Sequence, residues 1–346
     1  NDNSGDALFG LQATATGPVV YLTAPENFTI DATNTTADSY IDVFKDKAQR
    51  FSDLPLNARD AQILRIDGLP EDVIDDYYVK FATTAQPDTI GKGTWEEAAG
   101  PGIDSAYELD STTMPHLLIK QANGTFVFKK ADGTNHTSSG AGTPTYDYSS
   151  FKWGVRKAGD LTTAPNPSFV GKKISDLFLY KNRVGILADE NVVFTEAGEF
   201  FNFFRSTVVD LLDTAPIDIA AASSDVSFLR STVPLSQKLV LFSDQRQFIL
   251  DSNTALTART VSMAQATAYE SQNNCKPVSL GNALFFAFDR GSFSGIREYF
   301  TTDYEDNYLG VDITANVPKY LPGKITKMVA SSHENVLVCL TDGDTS

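Results

Sequence analysis

Cysteine, histidine, tryptophan and methionine are all scarce in this chain, and basic residues are outnumbered. Two cysteines, Cys275 and Cys339, are too few for a disulfide framework. Cys339 alternates within an apolar strand, where a thiol acts as a small buried side chain. The three histidines, His116, His136 and His333, stand far apart and in no metal-ligand spacing. Lys and Arg number 28 against 44 Asp and Glu, a net charge of −16. That balance argues against a surface built to hold nucleic acid, because such affinity comes from cations neutralising phosphates. A surface that nucleic acid must slide past stays open. No apolar run reaches the length of a membrane span, and the longest, such as Ala283 to Phe288, are strand-length.

What the chain has in quantity is short apolar strands. At 346 residues it exceeds one comfortable core, so two domains are the default. Twenty-three Phe and thirteen Tyr suit a β-rich protein. Four segments run an apolar strand into an Asp-headed turn: Val184 to Asp189, Leu239 to Asp244, Leu284 to Asp289 and Val336 to Asp342. Their aspartates are spaced by 55, 45 and 53 residues. A loose period of that size is the blade spacing of a β-propeller. The fourth copy has no return strand before Ser346, and the chain opens on Asn1-Asp2-Asn3 without Met. The expectation is a segment of a longer protein.

Ahead of the repeats, Val19 to Leu22 reads as a strand. Asp38 to Phe51 reads as a helix closed by Pro55, with Ile41, Phe44, Ala48 and Phe51 near one face, although Ser39 to Phe44 also alternates. Gln62 to Ile66, Tyr77 to Phe81 and a strand near Trp95 predict a three-strand meander. His116 to Lys120 and Thr125 to Lys129 flank Asn123-Gly124, a hairpin signal. Residues 131–148 are rich in Gly, Ser, Thr, Asn and Pro and read as a loop or linker. The division expected is 1–150, a β-rich domain with the meander and hairpin, and 151–346, about three propeller blades plus a truncated one. The fold class is therefore mainly β: an incomplete β-propeller of antiparallel blades with an additional β-rich domain.

Signals for chemistry are thin. Gly291-Ser292-Phe293-Ser294-Gly295 has Phe where a nucleophile elbow needs Ser. Gly91-Lys92-Gly93 lacks the rest of a phosphate loop and reads as a turn. Asp303, Glu305 and Asn307 place oxygens at alternate positions that suit a hard cation such as Ca²⁺, but Tyr308 stands where an EF-hand loop needs glycine. A solvated acidic turn is the simpler reading. Asp75-Asp76 likewise reads as a turn of acids before it reads as a glycosidase pair. Phe200 to Phe204 reads as packing between sheets before it reads as a carbohydrate platform. No catalytic residue and no cofactor is expected.

Nine stretches, taken in order, resemble tail tubular protein B, the nozzle family of short-tailed phages. They are Phe51-Ser52-Asp53-Leu54-Pro55, Tyr77-Tyr78-Val79-Lys80, Thr113-Met114-Pro115-His116, Gly159-Asp160 and Pro165 to Gly171. Asn182-Arg183-Val184-Gly185, Phe200-Phe201-Asn202-Phe203, Pro216-Ile217-Asp218 and Asp312-Ile313-Thr314 with Val317-Pro318-Lys319-Tyr320 complete the set. One departure is Ala215, where the family often has Asp before Pro-Ile-Asp. The resemblance implies a structural virion tail protein, assembled in the host cytoplasm. It implies a hexameric tube meeting an adaptor tail protein and tail fibres, with double-stranded DNA passing through the lumen unbound. An acidic wall suits that passage, since it repels a polyanion. The alternative is a polysaccharide-degrading or carbohydrate-binding tail protein, for which Asp75, Asp76, Asp303 and Glu305 are the candidate carboxylates.

Overall fold

A computed structural model of the chain describes residues 10–25, 27–30, 42–68, 76–103, 106–137, 145–222, 225–235, 237–251, 255–301 and 307–343. The described residues are mainly β, with no α-helix among them. Among the described residues no helix is therefore long and apolar enough to cross a membrane, which says nothing of strands. Contacts group the chain into two compact units, neither of them one continuous stretch. The first joins Asn1–Glu108, Val155–Pro165 and Arg205–Asp210; the second joins Leu109–Gly154, Asn166–Phe204 and Leu211–Ser346.

In the first unit, β1 (Gln12–Thr16) and β2 (Val19–Thr23) form a hairpin. A five-stranded sheet is built from β3 (Lys47–Ala48), β4 (Asn57–Arg59), β5 (Ile63–Ile66), β6 (Tyr77–Thr83) and β7 (Ile90–Ala98). Its order is β3-β5-β6-β7-β4, so the expected meander is present as β5-β6-β7. Alternation sends Leu64, Ile66 and Val79 into a core with Ala48. The helix expected over 38–51 is not formed in its described part, 42–51; residues 38–41 lie outside the described residues. Lys47 and Ala48 instead pair in parallel with Arg65 and Ile66, and Phe51–Asp53 makes one 3-10 turn. A sheet edge supplies backbone partners at once, whereas a short helix must first form a costly nucleus. Gly91 to Gly93 is likewise no turn. It runs within β7, where the Phe81 ring and the Ala82 carbonyl leave no room for a Cβ at Gly93.

The second unit begins with the hairpin β8 (Leu117–Lys120) and β9 (Phe126–Lys129) and the short pair β10 (His136–Thr137) and β11 (Thr145–Tyr146). Gly124 turns the hairpin with φ of 86°, following a bond from its N–H to the Gln121 carbonyl. This is a type I turn with one left-handed residue, so only the glycine of Asn123-Gly124 takes positive φ. Three antiparallel meanders then follow in chain order. The first is β12 (Ile174–Tyr180), β13 (Arg183–Ala188), β14 (Asn191–Phe194) and β15 (Ile217–Ala220). The second is β16 (Leu229–Leu235), β17 (Lys238–Ser243), β18 (Gln247–Asp251) and β19 (Ser262–Thr267). The third is β20 (Val278–Leu280), β21 (Ala283–Arg290), β22 (Phe293–Thr301) and β23 (Tyr308–Asp312), with β24 (Leu321–Pro322) also on β22. A last hairpin joins β25 (Ile325–Ser331) and β26 (Val336–Thr341). Three of the repeat aspartates fall at or just past strand ends, but Asp289 lies inside β21 opposite Ser294. The turn there is Gly291-Ser292, with Gly291 at φ of 63°.

Apolar runs such as Leu239 to Phe242 are explained by burial on both faces. Leu239 and Leu241 meet Leu187, Phe194 and Leu250 in one core. Val240 and Phe242 point the other way, to Leu284, Phe286 and Tyr299. Sheet three in turn uses Phe285, Ala287 and Ile296 against Ile325 and Met328 of the final hairpin. Ile186, Ala188 and Val193 of sheet one pack against Met114, Trp153, Phe169 and Phe203. Each Leu or Phe so buried contributes roughly 1.5–3 kcal/mol. The outer hairpins break the pattern. Leu118, Phe126 and Phe128 on β8-β9 and Val336, Val338 and Leu340 on β26 are exposed.

Candidate functional site

The leading strands of the three sheets and of the last hairpin lie side by side: β12 by β16, β16 by β20, β20 by β25. They border an open hollow of about 450 Å³, lined by Leu179, Thr232, Pro234, Lys276, Val278 and Val329 among others. One carboxylate ties the strands around it. Asp176, in β12, accepts bonds from the Thr232 backbone N–H at 3.0 Å and the Thr232 hydroxyl at 3.3 Å. Lys276 Nζ, just before β20, reaches both Asp176 oxygens at 2.9 and 2.7 Å. Asp176 is thus shared by three successive sheets. Its oxygens are engaged, and what the arrangement does chemically is join strands. Half-buried and exposed positions alternate along β12, but Leu177 to Tyr180 are all apolar or aromatic, so no sequence period marks the strand.

Residues that carried the family resemblance have physical tasks in the same unit. Lys181 and Asn182 turn β12 into β13 with φ of 45° and 61°. Arg183, 1% exposed, then donates to the carbonyls of Thr195 (2.7 Å), Ala215 (2.8 Å), Asp213 (3.0 Å), Thr214 (3.1 Å) and Leu256 (3.2 Å). Burial lowers its pKa, and the nearby Glu196 carboxylate opposes that. Gly185 lies under the Phe178 ring of its cross-strand neighbour, leaving no space for a Cβ. Gly295 and Phe288 repeat the device in sheet three. Asp218 accepts from Ser168 N–H at 2.8 Å and Asn191 at 3.2 Å, while Ile217 enters the core. Within the first unit, Arg156 is fully buried on the Ala106, Asp160 and Ala164 carbonyls.

The candidate chemical residues are not brought together. Asp303 and Glu305 lie outside the described residues, as does Asp75, so the 303–307 cation reading has only Asn307 in view. Among the described residues, no group of three His, Cys, Asp or Glu is placed to hold a metal ion. Asp76 pairs with Arg65 at 3.0 Å. His116 stacks on Phe128 with ring centroids 5.4 Å apart, and His333 is exposed beside Glu334. Phe203 and Phe204 are buried and Phe201 packs edge-on to Trp153 at 5.3 Å, so the aromatic clump is core from Phe201 onward, while Phe200 is exposed. The sequence reading missed Asp176 and the structural role of Arg183, since neither partner set is local.

Comparison with known proteins gives a consistent answer. Residues 2–346 match the family described as bacteriophage nozzle protein. Tail tubular protein gp12 of Escherichia phage T7 is 31% identical over 331 residues, 94% of this chain and 38% of that protein. The chain therefore spans under two fifths of the length of that curated relative. Among solved structures, the extracellular domain of a hybrid two-component system from B. thetaiotaomicron is similar at 14% identity with a TM-score of 0.36. That match covers 77% of this chain and 30% of the other. PorZ, a surface component of the type-IX secretion system of Porphyromonas gingivalis, is similar at 11% identity with a TM-score of 0.29, covering 76% and 33%. Likenesses of that size establish no shared fold.

Proposed function

Because this chain belongs to the bacteriophage nozzle protein family, we propose that it is a structural part of a phage tail, within a tube that conducts DNA during ejection. The match over residues 2–346 is the observation that carries this reading. The intact protein is a hexamer below an adaptor ring, with tail fibres attached nearby, put together in the host cytoplasm and resident in the virion tail. It works by shape and not by catalysis. A net charge of −16 supports passage of DNA without capture, since an acidic wall does not release counterions to gain affinity. Among the described residues nothing favours the polysaccharide reading, as Asp76 is held by Arg65 and the aromatics at 201–204 serve the core.

The arrangement behind this role is an open β-propeller. Three consecutive four-stranded meanders and a hairpin, packed face to face with leading strands adjacent, are what spokes around an axis require. Residues 151–346 carry the blades and 1–150 carry the added β-rich domain, with the 117–129 hairpin folded back on the first blade. Mass photometry of the full-length protein mixed with adaptor rings tests the function. Ring-sized complexes are expected, and monomers persisting under all conditions would refute it. Cryo-electron microscopy of the same complex tests the spokes: the three sheets must lie around one axis and not in one continuous sheet.

A further inference from the structure

Sheet three carries an arginine clamped between two aromatic rings. Arg297 in β22 is half-buried, and its guanidinium carbon stands 4.8 Å from the centre of the Tyr269 ring and 4.6 Å from that of Phe288. The pairing register puts the rings on opposite sides of it along the strand. Phe288 lies over Gly295, two residues before Arg297, and Tyr269 lies over Gly310, which pairs with Tyr299, two residues after it. Neither glycine has space for a Cβ, so both rings are seated on bare backbone. Buried Gln247 fixes the Tyr269 main chain, accepting from its N–H at 3.1 Å and donating to its carbonyl at 2.8 Å. The Tyr269 hydroxyl accepts from the Gly310 N–H at 3.2 Å.

The clamp holds a donor with nothing to donate to. Among the described residues the Arg297 guanidinium has no acceptor, and its Nε is buried without a partner. Arg156 and Arg183, by contrast, spend their donors on carbonyls. Arg290 stacks on the same Phe288 ring at 5.2 Å, but its fork is taken by Asp312. Asp312 stands opposite Arg297 in register, yet its carboxylate is engaged by Arg290 and by the Thr314 N–H and hydroxyl at 2.9 and 2.7 Å. The neighbouring carboxylate is therefore spent. Nε alone of the Arg297 nitrogens is both enclosed and unpartnered, so the terminal pair opens outward.

We propose that Arg297 is a receptor for a carboxylate side chain on an acidic peptide segment of another protein chain, taken edge-on between Tyr269 and Phe288. The rings cover both faces of the guanidinium and leave the end that bears its terminal nitrogens. That end offers two parallel N–H groups, which match the two oxygens of a carboxylate. A carboxylate is flat and enters the slot in the guanidinium plane. A tetrahedral phosphate carries further oxygens above and below that plane, against the rings. The net charge of −16 also disfavours a nucleic-acid backbone as the ligand.

Titrating the full chain with hexaglutamate in about 0.15 M salt, where charges beyond about 8 Å are largely screened, tests it. The arginine Nε–H signals are followed by NMR, with that of Arg297 identified by its loss in Arg297→Gln. This signal should shift and saturate with hexaglutamate, and stay in place with inorganic phosphate or hexathymidylate at equal ionic strength. Arg297→Gln should weaken hexaglutamate binding by about tenfold or more, as for loss of hydrogen bonds to a charged group. Arg297→Lys, which keeps the charge without the fork, should fall between. Lys92→Gln, which removes an exposed charge elsewhere, should bind as the parent does. If Arg297→Gln fails to fold, Arg297→Lys supplies the assignment and titration of the parent still decides. Three results would each overturn the proposal: an Arg297 signal unmoved by hexaglutamate, an equal shift with phosphate or hexathymidylate, or a loss of affinity no greater in Arg297→Gln than in Lys92→Gln.

Discussion

Replacing Arg183 with methionine keeps much of the side-chain volume and removes every donor. Five carbonyls lose a donor at once, four on the β14–β15 connection of the first sheet and one on the Leu256 loop of the second; of these Thr214 still accepts from the Ala197 N–H. Of these bonds, those to Thr195, Ala215 and Leu256 are fully buried. Orphaning a buried acceptor costs about 1–3 kcal/mol, so three give a gross loss of about 3–9 kcal/mol. Against this, methionine no longer has to bury a charge, which recovers part of the loss. The net expectation is about 3–5 kcal/mol, as for breaking other buried charged networks. That is about a fifth or more of a typical domain's stability. Urea unfolding followed by tryptophan fluorescence and far-ultraviolet circular dichroism should show the midpoint fall. Arg183→Lys should lie between, since an ammonium has three hydrogens to serve five acceptors. If Arg183→Met unfolds within 1 kcal/mol of the parent, roughly the worth of one ordinary hydrogen bond, the carbonyl-hub account is wrong.

Gly185→Ala and Gly295→Ala should each destabilise by about 1–3 kcal/mol through overpacking against Phe178 and Phe288. Gly124→Ala, with open space around it but φ of 86°, should cost about 1–2 kcal/mol by strain alone; thermal melts of all three would separate the causes. In a double-mutant cycle, Asp176→Ala should cost more than Lys276→Ala, because Asp176 also accepts from Thr232 and Lys276 is half exposed. The Asp176–Lys276 coupling itself should fall below about 1 kcal/mol, as for other exposed pairs; equal single costs with a large coupling would contradict this. Acid should weaken the fold. The Lys47 ammonium foremost holds Asp67 below the ordinary carboxylate value of 3.8, and the Thr112 and Thr134 hydroxyls and N–H groups do the same for Asp110 and Asp132. Burial alone would raise Asp312, but the Thr314 hydroxyl and N–H and the Arg290 guanidinium outweigh it. Folded values below the unfolded one mean that the stabilisation is complete above about pH 3.8 and is lost as pH falls through the folded values. Urea midpoints measured from neutrality to pH 2 should stay level and then drop; a rise on acidification would refute the assignment.

Strand positions were written into the residues. Alternation at Tyr77 to Phe81, the Asn123-Gly124 turn and the unbroken run Leu239 to Phe242 each state a local preference, because side-chain period and turn chemistry are properties of neighbours along the chain. The ordered motifs likewise sufficed for the family, since they need no coordinates to be read. Lys47-Ala48 joined a sheet edge against its helical pattern, and Gly91 to Gly93 ran through a strand beneath Phe81; in both, a distant partner outweighed the local tendency. The shared carboxylate of Asp176 and the five-carbonyl hub of Arg183 also belong to the tertiary structure alone. Their partners lie up to 100 residues away, and no sequence period records which backbone oxygen will be left needing a donor when separate sheets close on one another.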